Sequence, residues 1–180
     1  TLPLRLQSDR LFMMARLQVL MAEPTSAAYA KALAETRAVF ASEPVADLLA
    51  IDALMLEKDV QRFDDCIRRV TERLGGPDAY LTLCRGLVRL RAGTPEEARP
   101  FIEKAIQDEP DFALAAFAKL RLLARQKAWA EACEWLTQMV DRFNLRPDAV
   151  RASSDEALAA LAATPEFERW VSSQPAAPPR

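Results

Sequence analysis

Apolar residues recur along this chain at the spacing of one helix face, and short breaks separate the stretches in which they do so. The clearest example runs from Asp78 to Asp111, where a break at residues 92–95 separates two such stretches. Two helices joined by a short break form a helical hairpin. We predict six helices in the central part of the chain, near residues 45–58, 62–74, 78–92, 95–108, 111–126 and 128–143.

The hairpin pattern is repeated. Pro44, Pro77 and Pro110 lie at intervals of 33 residues, and Pro147 follows 37 residues later. Counted from the first three prolines, the fourth, seventh and tenth residues are apolar in every copy. These rows are Leu48, Leu81 and Leu114; Ile51, Cys84 and Phe117; and Leu54, Leu87 and Leu120. Repetition at this period is typical of stacked helical hairpins, so we predict an all-α fold.

The second copy carries the features of a known family. These features are Gly86 and Leu87 in the first helix, Gly93 in the turn, Ala98 and Ala105 in the second helix, and Pro110 at its end. By these residues the segment 45–147 resembles about three tetratricopeptide repeats, although the turn is one residue shorter and Leu83 stands where the family usually has Trp. The resemblance implies a right-handed superhelical array of hairpins, a tetratricopeptide-like α-solenoid, that binds proteins or peptides and is not an enzyme.

A chain of 180 residues with 51% apolar composition is predicted to form one domain, over residues 1–174. Its parts are an atypical amino-terminal hairpin at 8–43, repeats at 45–76, 78–109 and 111–146, capping helices at 148–173, and a proline-rich tail or linker at 174–180. Terminal units of such arrays are commonly atypical because one side faces water.

Capping signals predict where the terminal helices begin. Ser8 is expected to cap the first helix, and Thr25 or Ser26 the second. Near the other end, Ser153 or Ser154 is expected to cap a helix that runs through Ala162, with Glu156 in the capping-box position. Thr164-Pro165 is expected to start the last helix.

Little in the chain predicts catalysis. Histidine is absent, the three cysteines are far apart on apolar helix faces, and the four glycines form no phosphate-binding loop. The adjacent carboxylates at 64–65, 96–97 and 155–156 are expected in first helical turns, where the helix dipole favours negative charge. We therefore predict no enzymatic activity, no catalytic residue, no metal and no cofactor.

The resemblance implies that the first helix of each pair lines a concave groove. The groove residues predicted in this way are Leu48, Ile51, Met55, Leu81, Cys84, Arg85, Val88, Arg91, Leu114, Phe117, Arg121 and Arg125. Apolar strips edged by guanidinium groups suit a peptide or helix that offers hydrophobic anchors and carboxylates. The predicted function is a protein-interaction scaffold or adaptor of a bacterial-type protein, whose partner the sequence does not identify.

Two alternatives stay open. Apolar stripes at helical spacing are often core, so the groove could be filled by the chain's own segments or by a second copy in a homodimer. A helical array could also bind single-stranded RNA through arginines between 68 and 91, although a net charge of −2 argues against general nucleic-acid binding.

The apolar run from Leu11 to Met21 is too short to span a bilayer and contains Arg16, so we predict no membrane insertion and interpret the run as a buried helix. The chain begins at Thr1, so we expect a processed or excised piece of a longer product, in which any targeting signal would be lost. A cytoplasmic location is expected.

Overall fold

The computed structural model describes residues 10–20, 22–23, 26–40, 47–48, 50–51, 54–55 and 59–174, and all regular secondary structure in these residues is helical. The prediction of an all-α fold is confirmed for this part of the chain. The helices are α1 Arg10–Leu20, α2 Ala27–Val39, α3 Val60–Leu74, α4 Ala79–Ala92, α5 Pro95–Asp108, α6 Ala113–Arg125, α7 Trp129–Phe143, α8 Pro147–Arg151, α9 Glu156–Ala162 and α10 Pro165–Ser173. The described residues between 47 and 55 are also helical.

Most predicted helix ends agree with the structure because they depend on local chemistry. The Ser26 hydroxyl accepts a hydrogen bond from the backbone N–H of Tyr29 at the start of α2, and Thr164 caps α10 in the same way. Gly75 and Gly93 end α3 and α4 with φ of 85° and 88°, in the left-handed region that glycine enters without strain. The predicted caps Ser8 and Thr25 and the tail beyond residue 174 lie outside the described residues.

Three details differ from the sequence predictions. The cap of α9 is Asp155, because its carboxylate accepts from the N–H groups of Ala157 and Leu158, while the Ser153 hydroxyl accepts from the N–H of Asp155 instead. The short helix α8 was not predicted. Asp64 lies in the second turn of α3, not the first, because that helix begins at Val60 and not near residue 62.

The chain divides into two compact units, Thr1–Phe101 and Ile102–Arg180. In the first unit α1 packs on α2 and α3 packs on α4. Its core joins residues from both pairs and from the helical residues between them. The largest members are Leu17, Tyr29, Leu33, Ile51, Leu54, Met55, Phe63, Ile67, Val70, Leu81 and Val88.

The second unit contains two hairpins, α6–α7 and α9–α10. Helix α6 packs on α7, α9 packs on α6, and α10 packs on α7, so like helices of the two hairpins lie side by side. The core between them is rich in aromatic and branched side chains. It includes Leu120, Leu123, Trp135, Leu136, Met139, Leu158, Leu161, Phe167 and Trp170. The single repeat domain and the superhelical array stay predictions.

Candidate partner-binding site

A cavity of about 540 Å³ lies on one face of α6 in the second unit. Three predicted groove residues line it, Phe117, Arg121 and Arg125, which are spaced four residues apart and therefore share one stripe of the helix. The opposite wall comes from α8, α9 and the segment between them. Its residues are Ala149, Val150, Ser153, Ser154, Asp155, Glu156 and Leu158.

The cavity combines an apolar wall with charged groups. Phe117 is half-buried and packs against the core of the second unit, while Val150 and Leu158 are buried members of that core. Arg125 is exposed at the end of α6. Of the cavity's ten lining residues four are apolar and six are polar or charged, and its volume lies within the usual range of ligand pockets.

Arg121 is held in the cavity by an ion pair. Its Nε and Nη2 lie 2.7 Å and 2.5 Å from the same carboxylate oxygen, Oδ2 of Asp155. The other oxygen, Oδ1, accepts hydrogen bonds from the backbone N–H groups of Ala157 and Leu158 at 3.0 Å and 3.3 Å. Burial alone would raise the pKa of Asp155, but the hydrogen bond and charge of Arg121 hold it below its ordinary value. Asp155 is therefore ionised at neutral pH.

The predicted groove residues of the first unit are placed differently. Ile51, Met55, Leu81, Cys84 and Val88 are all buried, and all belong to the core of that unit. Each of these residues is at most 9% exposed, so they offer a partner little surface to contact. This burial favours the alternative interpretation, in which the apolar stripe is filled by the chain itself.

The remaining predicted residues lie at or near the surface. Leu48 and Leu114 are exposed, as is Arg91 near the end of α4. Arg85 is half-buried, and its Nε lies 3.0 Å from Oδ1 of Asp64. The structure thus brings together only Phe117, Arg121 and Arg125 of the predicted set around the cavity of the second unit.

Arg85 also lines a second cavity, of about 410 Å³, between α3 and α4. The lining residues are Asp64, Asp65, Ile67, Arg68, Thr71, Glu72, Pro77, Leu81, Thr82 and Arg85. Each of its arginines is already paired, Arg85 with Asp64 and Arg68 with both Asp65 and Glu72. Because three carboxylates and two paired arginines line this cavity, it offers no net positive charge to an acidic partner.

Carboxylates neutralise most arginines on which the RNA alternative depends. The buried carboxylate of Asp47 forms ion pairs with Arg37, Arg69 and Arg73 at 2.7 Å, 3.1 Å and 3.6 Å. Burial alone would raise the pKa of Asp47, but hydrogen bonds and charges of the arginines hold it below its ordinary value. The positive face that phosphate binding requires is correspondingly weakened.

A further pair of arginines shares one carboxylate and one ring. Asp64 accepts hydrogen bonds from both Arg85 and Arg89, and the two guanidinium carbons lie 4.5 Å and 4.4 Å from the centroid of the Phe101 ring. Cations over a ring face are attracted by its quadrupole. These contacts join α3, α4 and the first turns of α5, which is a structural role.

Burial disfavours the thiolate form of Cys66 and Cys133 by raising the pKa of each thiol. All three cysteines are buried, and burial raises the pKa of Cys66 to about 11. Cys66 also donates through Sγ to the backbone oxygen of Asp47. Within the described ranges no group of three or more histidine, cysteine or carboxylate side chains is arranged to hold a metal ion.

The far wall of the cavity was missed by sequence reasoning. Ser153 and Ser154 were interpreted only as capping residues, Asp155 only as a carboxylate in a first helical turn, and Leu158 only as part of a terminal helix. No local pattern could have linked Asp155 to Arg121, which lies 34 residues earlier.

Comparisons with known proteins add no further assignment. The scan against protein-family models found no match, and neither the search of curated proteins nor that of solved structures found one. Among the helices described, none has the length and apolar content needed to cross a bilayer.

Proposed function

We propose that this chain is a non-catalytic, tetratricopeptide-like interaction module, and that the cavity of the second unit binds a peptide that offers apolar and acidic groups. The observation that carries the proposal is the stripe of Phe117, Arg121 and Arg125 on one face of α6, which lines an accessible cavity. A phenyl ring beside two guanidinium groups is complementary to an apolar anchor next to a carboxylate.

The packing of the second unit supports this proposal. In a tetratricopeptide-like array, first helices pack beside first helices and second helices beside second helices. The contacts of α6 with α9 and of α7 with α10 have this arrangement. By that analogy α9–α10 acts as a further, degenerate hairpin, and the cavity lies along the layer of first helices.

Matched peptide libraries would test the proposal. Hexapeptides that combine Phe or Leu with Glu would be immobilised beside the same set with Gln in place of every Glu. The protein is expected to retain the acidic set preferentially, because only carboxylates can pair with the guanidinium groups. Equal retention of both sets, or of neither, would overturn the proposal.

Arg125→Gln and Arg91→Gln form a matched pair for this experiment, because both arginines are exposed and both were predicted as groove residues. Arg125→Gln is expected to weaken binding of the acidic set about fivefold, which is the size of one exposed charge pair. Arg91→Gln is expected to leave binding unchanged, since Arg91 is not among the residues that line the cavity. An equal loss with both variants would instead indicate an effect of overall charge and would contradict the assignment to this cavity.

A structural role is the second candidate, and the burial of Leu81, Cys84 and Val88 favours it for the first unit. In this interpretation the first unit is a packing element whose apolar stripe is filled internally. Absence of peptide binding together with a normal melting transition would favour the same role for the whole chain.

A further inference from the structure

The chain already places one carboxylate on Arg121. Both contacting nitrogens of the guanidinium lie against Oδ2 of Asp155, at 2.7 Å and 2.5 Å, inside the cavity that we assign to the partner. The pair is accessible, because the side chain of Arg121 is 39% exposed and that of Asp155 is 12% exposed. A carboxylate of a bound peptide would seek the same guanidinium.

The charges around the cavity are balanced. Arg121 and Arg125 contribute two positive charges, and Asp155 and Glu156 contribute two negative charges. The formal charges of the lining therefore cancel, and an incoming carboxylate gains the ion pair with Arg121 only by replacing Asp155. Removing the charge of Asp155 would leave the lining with one net positive charge.

The two oxygens of Asp155 have separate roles. Oδ1 holds the N–H groups of Ala157 and Leu158 at the start of α9, whereas Oδ2 holds Arg121. Arg121 can consequently leave Oδ2 for a ligand while α9 keeps its cap. Binding would exchange only the Arg121–Asp155 ion pair for one between Arg121 and the ligand, without a change in the rest of the fold.

We propose that Asp155 is a built-in competitor, which occupies Arg121 as a partner carboxylate would and is displaced when an acidic peptide binds. This inference rests on the proposed function and adds its regulation. Because Asp155 occupies Arg121, the affinity for acidic ligands is lower than it would be if this guanidinium were unpaired. Neutral ligands do not compete for this guanidinium, so their affinity is expected not to depend on Asp155.

Asp155→Asn tests the competition directly. Asparagine caps helices as well as aspartate does, so the cap of α9 is retained while the negative charge is lost. Asp155→Ser supplies a second capping residue without charge, in case the first variant folds poorly. Thermal melting by circular dichroism would establish that each variant is folded.

Phenylbutyrate would be the probe, because it carries a phenyl ring and a carboxylate, with phenylbutyramide as its uncharged match. Titrations would follow the arginine side-chain N–H signals by NMR. Both variants are expected to bind phenylbutyrate about two- to fivefold more tightly than the parent, the size expected for one partly exposed ion pair. Binding of phenylbutyramide is expected to stay unchanged.

Two further variants of this chain serve as controls. Asp141→Asn removes the same charge from an exposed position of α7 that does not line the cavity, so it should bind phenylbutyrate like the parent. Combining Arg121→Gln with Asp155→Asn should abolish the gain, because the gain requires the released guanidinium.

The outcomes separate this inference from the function on which it rests. If the parent binds phenylbutyrate but Asp155→Asn and Asp155→Ser bind no better, the competition is overturned and the binding site remains. An equal gain in Asp141→Asn would also overturn it, because the effect would then be one of overall charge. If neither the parent nor the Asp155 variants bind the probe, both proposals fail.

Discussion

Three pairs of equivalent positions in the second and third predicted repeats are buried in one unit and more exposed in the other. Leu81 of α4 is 1% exposed, whereas Leu114, at the same position of α6, is 59% exposed. Cys84 is buried where Phe117 is half-buried, and Val88 is buried where Arg121 faces a cavity. Similar sequence patterns therefore specify similar helices without specifying what covers them.

The difference lies in what shares the core with each helix. In the first unit the amino-terminal hairpin contributes Leu17, Tyr29 and Leu33 to the cluster that contains Leu81 and Val88. In the second unit the short helices α8 and α9 supply Val150, Leu158 and Leu161 but no aromatic side chain, and a cavity remains beside α6. An apolar stripe becomes core or groove according to the size of the element that meets it.

The largest effect is expected from glutamate at the two equivalent leucines. Leu81→Glu should lower the free energy of unfolding by about 4 kcal/mol or more, because it places an unpaired charge in the core. Leu114→Glu should change it by less than about 0.5 kcal/mol, since that side chain is already in water. Urea unfolding followed by circular dichroism measures both. Equal losses in the two variants would contradict the difference in burial between Leu81 and Leu114.

Acid should weaken the first unit more than the second. The pKa values of Asp47 and Asp64 in the first unit and of Asp155 in the second are lowered on folding, because their arginines outweigh the opposing effect of burial. A carboxylate whose pKa is lowered on folding stabilises the folded state fully above its pKa in the unfolded chain, about 4. This stabilisation is lost as the pH falls through its pKa in the folded state. The window of this loss therefore lies below about pH 4.

Asp47→Asn sharpens this prediction. Near neutral pH the variant should lose about 2 kcal/mol, a value reduced from that of a fully buried pair because Arg37, Arg69 and Arg73 are each about one-third exposed. At about pH 3 the variant and the parent should differ less, since the parent then loses part of the same interaction. Urea unfolding at both pH values would measure this. A difference that grows on acidification would contradict the assignment.

All three tryptophans lie in the second unit, at positions 129, 135 and 170. Their fluorescence therefore monitors that unit, while circular dichroism monitors the helices of both. Following the acid transition with both signals would test the comparison directly. As the pH is lowered, the ellipticity is expected to begin to fall at a higher pH than that at which the fluorescence changes.

The smallest effects are expected at the turns. Gly93 has φ of 88° at the end of α4, and Lys127 has φ of 55° after α6. Gly93→Ala should lower the free energy of unfolding by about 1 kcal/mol, because an alanine is strained at this φ. No steric clash adds to this cost, since no atom lies within 4 Å of the added Cβ. Lys127→Gly should change stability little or raise it by about 0.5 kcal/mol, because it relieves the same strain at an entropic cost. Melting temperatures would measure both changes, and a stabilising Gly93→Ala would contradict this account.

Local chemistry explains why much of the helix pattern could be predicted. The predicted helices at 95–108, 78–92 and 128–143 correspond to Pro95–Asp108, Ala79–Ala92 and Trp129–Phe143. Side-chain caps and left-handed glycines depend on residues within one turn, so a single sequence contains the necessary information. The same reasoning missed α8, whose five residues are too few to show a period.

The sequence predicted only the α6 side of the candidate site. Phe117, Arg121 and Arg125 share a helix face, and that spacing is visible in the sequence. Asp155 was expected in a first helical turn, but it is the residue that caps α9 and pairs with Arg121. Such a contact joins positions far apart in the chain, and several arginines were available as partners for each carboxylate.

The sequence by itself determined the all-helical class, most helix ends and the stripes of apolar residues, because each follows from interactions within a few residues. Only the tertiary structure decided which stripe is core and which lines a cavity. It also decided which carboxylate neutralises which arginine. Burial and charge pairing depend on the elements that pack together, so they follow from the whole chain and not from any one helix.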